Sequence, residues 1–174
     1  MAVRVKLLLK GETTKEVVAL INSGYEADTP QLMISISLVL LPGLWSPQNA
    51  KELTYDTAGG SLRVWLIPQA VKIQVVAEDA SSREDATDIA ISPLAEEPLI
   101  SDILAGELEL AVEDFAKGHW RFRWEPKEKT RTNENHKQHN TTHNIKQHHT
   151  GKPNLNHKAK CKLKYSKTKS IIGI

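Results

Sequence analysis

Asn22, Ser23 and Gly24 come closest to a catalytic pattern in this chain of 174 residues. The largely apolar run at positions 15–21 predicts a strand, and the hydroxyl and glycine predict a turn directly after it. A carboxylate at the end of such a strand could act as a general acid or base. The side chain in that position is the amide of Asn22. It can hydrogen-bond a water molecule but cannot take its proton near neutral pH.

Ala58, Gly59 and Gly60, which we call the hairpin tip, separate two strand-like runs at positions 53–56 and 62–67. Glycine pairs between such runs are typical of tight β-hairpins, because glycine adopts the backbone angles that the turn requires. A third segment, Leu99-Ile100-Ser101-Asp102, is called the helix-entry segment. It leads into the best helical pattern of the chain, over positions 100–110.

Together with Asn22-Ser23-Gly24 (the Asn22 loop), these segments resemble the retropepsin family, the single-lobe aspartic proteases of retroviral type. The Asn22 loop stands where the family has Asp-Thr-Gly or Asp-Ser-Gly, and the hairpin tip resembles its glycine-rich flap. The helix-entry segment resembles the second hydrophobic-hydrophobic-Gly segment, which precedes the only helix. The resemblance covers residues 3–124.

The resemblance implies a homodimer, because one retropepsin-like chain supplies half of an active site and two loops meet on a twofold axis. It also implies a groove between the two paired chains, in which an extended peptide or protein segment lies by strand addition. The Asn22 loop would form the floor of that groove. Gly59 and Gly60 would form its roof.

Two departures from the family pattern are Asn22 itself and Ser101, which stands where the family prefers glycine. A homodimer carries the amide twice, and a positioned general acid or base contributes about 10²- to 10⁴-fold in rate. The leading interpretation is therefore a catalytically degenerate homologue that serves as a peptide-binding or assembly module. The alternative is an active aspartic endopeptidase that uses another acid, or an Asn22 deamidated to aspartate.

Three other acids were weighed as replacements. Asp56 leads into the hairpin tip, but an aspartate before a glycine turn usually has a structural role. Asp102 stands at the expected helix start, where a carboxylate caps the helix or interacts favourably with its dipole. Asp28 follows the Asn22 loop and reads as a solvated turn residue.

The elements that must position these residues are short strands. The sequence predicts an N-terminal hairpin, further strands in the first ninety residues, one late helix and a strand at 119–124. Predicted strands lie at 3–9, 16–21, 31–36, 53–56, 62–67, 71–75, 88–91 and 119–124. This pattern favours an all-β fold, a small closed barrel with one short C-terminal helix.

The charge distribution divides the chain at Glu125. Up to that residue there are 11 Lys and Arg against 19 Asp and Glu, and beyond it 12 against 2. We expect a β-barrel domain over residues 1–125 and a basic, Asn-, His- and Lys-rich disordered tail over 126–174. The tail lysines are suited to weak, salt-sensitive nucleic-acid contacts, although a solvated extension without a function explains them equally well. The tail histidines fit no structural zinc pattern, so we expect neither a metal nor another cofactor.

The remaining sequence features indicate structural roles and no further functional site. Trp120, Phe122 and Trp124 alternate along one strand and indicate core or a dimer interface more strongly than base stacking, and Arg121 and Arg123 then face solvent. The single cysteine, Cys161, excludes an intramolecular disulfide. Without a long apolar segment we expect no membrane span and a cytoplasmic protein.

Overall fold

The computed structural model describes residues 2–39 and 49–134, which form nine strands and two helices. Their bounds are β1 Arg4–Lys10, β2 Thr14–Ile21, β3 Gln31–Ser35, α1 Ile36–Val39, β4 Lys51–Thr57, β5 Gly60–Val75, β6 Asp85–Ser92, β7 Leu99–Ile100, α2 Asp102–Glu107, β8 Leu110–Asp114 and β9 His119–Phe122. The described part of the chain is therefore mostly β, as the sequence predicted.

Seven strands form one mixed sheet in the order β1-β2-β7-β3-β6-β5-β4. The pairs β2–β7 and β3–β6 are parallel, and the other neighbours are antiparallel. Because β1 also pairs with β5, six of the strands follow one another in a ring and β4 lies outside it. Strands β8 and β9 form a separate two-stranded sheet.

Strand β1 explains how the ring acquires a core. Its side chains alternate between buried and half-buried, and Val5, Leu7 and Leu9 are fully buried. This is the period of two that a half-buried strand requires, and the predicted β1–β2 hairpin is confirmed. The buried set continues through the other ring strands to Leu104 of α2 and to Trp120 of β9.

Strand β5 corrects a prediction, since the sequence suggested two strands where the structure has one of 16 residues. Its register with β6 shifts between Ile67 and Val71, and Gln69 between them has a φ of 46°. Pro68 has no backbone N–H to contribute to a ladder. The irregularity resets the alternation of side chains, so one bent strand reads as two in the sequence.

The late helix is shorter than predicted, because α2 covers only Asp102–Glu107. Ile100 before it belongs to β7, and Leu110 after it begins β8. Ser101 is the N-cap, with extended backbone angles, and Glu109 has a φ of 55°, which a continuing helix cannot adopt.

The folded part of the chain extends past the boundary predicted at Glu125. Residues 126–134, which we call the C-terminal strap, add a bridge to β9. In it the Trp120 amide donates to the Arg131 carbonyl at 3.0 Å, and the reverse bond is 2.7 Å long. The Glu134 amide donates to the Arg4 carbonyl at 3.1 Å. The rest of the predicted tail, with Cys161, its histidines and its lysine run, lies outside the described residues.

The aromatic residues of β9 and of the turn after it follow the core prediction in part. Trp120 and Phe122 are buried, whereas Trp124 is half exposed and stacks on Phe122 with ring centroids 4.4 Å apart. The prediction that Arg121 faces solvent is wrong: its side chain is only 11% exposed and pairs with Glu113 at 2.7 Å. Within the described ranges, neither helix is long and apolar enough to cross a membrane.

Candidate functional site

The Asn22 loop begins where β2 ends, and its backbone and side chain together form a tight turn. The Asn22 amide donates to the Ile100 carbonyl at 3.2 Å, and the Asn22 carbonyl accepts from the Tyr25 amide at 3.0 Å. The side-chain oxygen, Oδ1, accepts from the Gly24 amide at 3.1 Å. Asn22 is half-buried, while Ser23 and Gly24 are exposed. Hydrogen bonds therefore hold Asn22 in place, while Ser23 and Gly24 are open to solvent.

The structure brings the Asn22 loop and the helix-entry segment into direct contact. Strand β2 runs parallel to β7, with Ile21 opposite Ile100. Two residues after Ile100, the Asp102 amide donates to the Tyr25 carbonyl at 3.0 Å. Two segments separated by more than seventy positions in sequence thus form one local unit.

Ser101 has a structural role that the sequence reasoning missed. Its side chain is fully buried, and its Oγ accepts from the amides of Gln31 and Leu104, each at 3.2 Å. The second bond caps α2, and the first ties β3 to the helix start. The hydroxyl at the position where the family prefers glycine therefore satisfies two buried donors.

The acids weighed in the sequence differ in placement. Asp102 lies in the first turn of α2, where its Oδ1 accepts from the Ala27 amide at 3.2 Å and from its neighbour Ile103 at 2.7 Å. Asp56 is exposed on β4 and accepts from the Ser61 hydroxyl at 3.4 Å. Asp28 is exposed in the bend before β3. Asp102 is the acid that contacts the backbone after the Asn22 loop.

The predicted hairpin is present as β4 and β5, which pair from Lys51 opposite Leu66 to Thr57 opposite Gly60. Gly60 has a φ of 108°, a conformation that favours glycine. The Thr57 hydroxyl donates to the Gly60 carbonyl at 2.7 Å and accepts from the Gly59 amide at 3.2 Å. Ala58 and Gly59 form the turn itself, and β4 is the end strand of the sheet.

Gln31 connects this hairpin to the Asn22 loop, and the sequence analysis did not identify it as a site residue. Its Oε1 accepts from the hydroxyl of Tyr25 at 2.7 Å and from the hydroxyl of Tyr55, on β4, at 2.6 Å. The two rings lie 6.1 Å apart. The signal available in the sequence was a glutamine at the start of an apolar run, Leu32-Met33-Ile34.

The network continues to a nearly buried carboxylate. The Gln31 Nε2 donates to Thr29 Oγ1 at 3.0 Å, and that hydroxyl donates to Asp88 Oδ2 at 2.7 Å. The other oxygen of Asp88 accepts from the Gln69 amide at 2.8 Å. Burial, followed by the charge and hydrogen bond of Tyr55, raises the pKa of Tyr25 above its ordinary value. Tyr25 therefore remains a hydrogen-bond donor across the physiological range.

The Asn22 loop presents hydrogen-bonding groups, and position 22 carries an amide in place of a carboxylate. Among residues 2–39 and 49–134, no group of three or more His, Cys, Asp or Glu side chains is placed to hold a metal ion. No family model matches this chain, and no curated protein matches it.

Proposed function

We propose that this chain is a retropepsin-like β-barrel that pairs as a homodimer and binds an extended peptide or protein segment. The encoded Asn22 makes it catalytically degenerate. The observation that carries the proposal is the contact between the Asn22 loop and the helix-entry segment. The Asn22 amide bonds to Ile100 at 3.2 Å, and the Asp102 amide bonds to Tyr25 at 3.0 Å.

This contact supports the proposal because the two segments resemble two different parts of one family. A chance match to an apolar-Asn-Ser-Gly string would not predict contact with the start of a helix more than seventy positions away. The parallel β2–β7 pairing and the antiparallel β3–β7 pairing put the strand before the loop and the strand after it on either side of β7. The Asn22 loop is thereby supported on rigid elements, as a recognition site requires.

Binding is favoured over hydrolysis by the chemistry of the loop. The carboxamide of Asn22 neither gains nor loses a proton near neutral pH, so it cannot act as a general acid or base. The carboxylate of Asp102 already accepts two backbone amides. A twofold dimer repeats both features. The two N–H donors of each Asn22 side chain, and the acceptor capacity of Oδ1 that the Gly24 amide does not use, remain suited to hydrogen-bonding a peptide or a water molecule.

The β4–β5 hairpin supports the peptide as ligand. It pairs through seven residue pairs, and β4 stands at the end of the sheet. Main-chain groups on such an edge can pair with an extended segment, while exposed side chains select its sequence. Through Tyr55 and Gln31 the hairpin is joined to Tyr25, directly after the Asn22 loop.

The decisive experiment restores the carboxylate with Asn22→Asp. We expect the variant to hydrolyse unfolded protein at acidic pH, with inhibition by pepstatin, at least about 10²-fold faster than protein whose mass confirms the amide at position 22. Asn133→Asp is the matched control, since it makes the same chemical change in the C-terminal strap and should leave the protein inert.

Two results would overturn the proposal. Pepstatin-sensitive cleavage by the verified amide form would show that the encoded protein is already an enzyme. A folded, dimeric Asn22→Asp variant without any activity would mean that the groove is not protease-like.

A further inference from the structure

We infer that Asn22 is a site of spontaneous deamidation in the folded protein, so that the Asn22 loop can acquire its carboxylate after synthesis. The modification stands on the local chemistry of Asn22 and Ser23. Its consequence for activity rests on the proposed function.

The sequence singles out Asn22 among eight asparagines. Deamidation begins when the backbone nitrogen of the next residue attacks the side-chain carbonyl carbon, so a small following residue favours it. Asn22 is followed by Ser23, and none of the other seven asparagines precedes serine or glycine. The other seven are Asn49, Asn133, Asn135, Asn140, Asn144, Asn154 and Asn156.

The geometry of the turn favours the attack. The Gly24 amide donates to Asn22 Oδ1 at 3.1 Å, so the side chain of Asn22 turns towards the backbone that follows it. The same bond polarises the Cγ–Oδ1 carbonyl and makes Cγ more electrophilic. Ser23 is exposed, and within the described residues its amide donates no hydrogen bond, so base in solvent can reach its proton.

Asn133 provides an internal comparison in which the attacking nitrogen is not free. Its Oδ1 accepts from the Arg4 amide at 2.5 Å, and the amide of Glu134, the nitrogen that would attack, donates to the Arg4 carbonyl at 3.1 Å. Gly118 also packs closely here, because a Cβ on it would meet the Cβ of Asn133 at 2.8 Å. The attacking nitrogen is engaged and the following residue is a glutamate, so this asparagine should persist.

The reaction requires only water as a co-reactant. The Ser23 nitrogen loses its proton and bonds to Asn22 Cγ, while the Cγ–Nδ2 bond breaks and the nitrogen leaves as ammonia with that proton. The product is a five-membered succinimide. Water then adds to one of its two carbonyls and reopens the ring, which leaves either aspartate or isoaspartate at position 22. No electron transfer is involved.

The surrounding hydrogen bonds favour the aspartate product in the folded chain. The Asn22 amide is held by Ile100, and the Asn22 carbonyl holds Tyr25. An aspartate keeps both bonds, because its backbone follows the same path. An isoaspartate adds a backbone atom between them and displaces one or both.

The test follows the full-length protein from fresh purification through incubation in mildly alkaline buffer made with heavy-oxygen water. Peptide mapping by mass spectrometry should find the amide-to-carboxyl mass gain and heavy oxygen at position 22, while Asn133 remains an amide. Ser23→Val should slow the conversion by about tenfold, because a β-branched residue crowds the attacking nitrogen.

The inference is overturned if Asn22 persists while tail asparagines convert, or if Ser23→Val converts as fast as the parent. Its failure is separable from that of the proposed function. If Asn22 stays unconverted while the Asn22→Asp variant is active, the deamidation inference fails and the proposed function stands. Conversion without activity, together with an inert Asn22→Asp variant, removes the proposed function alone.

Discussion

Gln31 illustrates at the residue scale how one polar side chain can organise a site. Its Oε1 accepts hydrogen bonds from the hydroxyls of Tyr25 and Tyr55, and its Nε2 donates to Thr29. Its backbone carbonyl also accepts from the Ser101 amide at 3.1 Å. Because buried polar groups are costly when unpaired, this network holds only while every member has a partner.

Replacing Gln31 by leucine is therefore expected to lower the free energy of unfolding by about 2 kcal/mol, since two tyrosine hydroxyls lose their acceptor. Urea denaturation followed by Trp fluorescence measures the change. Combining Gln31→Leu with Tyr25→Phe should cost less than the sum of the two single variants, because the second change removes an unpaired group. Additive costs would mean that the hydroxyl of Tyr25 does not depend on Gln31.

Glu125 gives a prediction in pH. Hydrogen bonds from Arg131 first, and then from Lys129 and the Phe122 amide, lower its pKa from 4.5 to about 2 despite burial. A depressed pKa in the folded state stabilises the fold above the unfolded-state pKa. That stability should be lost as the pH falls from about 4.5 towards 2.

Measured over this interval, the free energy of unfolding of Glu125→Gln should fall less steeply than that of the parent. The pKa of Asp79 is also lowered, chiefly by its hydrogen bond from Lys129, and this contribution remains in both proteins. Parallel curves for the two proteins would show that Glu125 does not carry the difference.

At the element scale, the C-terminal strap changes where the domain ends. Arg131 bonds Glu125 through both of its terminal nitrogens, at 2.5 and 2.6 Å, and its guanidinium carbon lies 5.3 and 5.0 Å from the ring centroids of Trp120 and Phe122. It also bonds Asp79, in the loop between β5 and β6, at 2.9 and 3.0 Å. The strap thus joins β9 to a distant loop.

Truncation after Glu125 should therefore cost about 3 kcal/mol or more, because it leaves a buried carboxylate without its cation. Truncation after Glu134 keeps the strap and should preserve the thermal midpoint of the full chain. Scanning calorimetry compares the two. Equal midpoints for both truncated proteins would contradict the role of the strap.

The elements also mark the limit of local sequence reasoning. Alternating Val5, Leu7 and Leu9 predicted β1, because the pleat of a strand imposes a period of two. The glycines of the hairpin tip predicted the β4–β5 turn for the same local reason. The β5 irregularity at Gln69 and the end of α2 at Glu109 depend on single backbone angles, which no periodicity contains.

At the scale of the whole molecule, β4 lies outside the ring in the order of strands, and Ser23 and Gly24 of the Asn22 loop are exposed. A retropepsin-like function requires a second copy to complete the groove. Sedimentation equilibrium at micromolar concentration should accordingly give the mass of two chains. A mass of one chain at that concentration would contradict the proposed assembly even if the fold were retained.

The amino-acid sequence by itself determined most of the strands and the hairpin turn, because these depend on neighbouring residues. It also gives directly the absence of a carboxylate at position 22. Only the tertiary structure decided that β2 lies beside β7, that Gln31 joins two tyrosines, and that Arg131 inserts beside Trp120 and Phe122. Those contacts join residues far apart in the chain, such as Gln31 and Ser101, separated by 70 positions. Their free energy arises from packing and burial, which no short segment specifies alone.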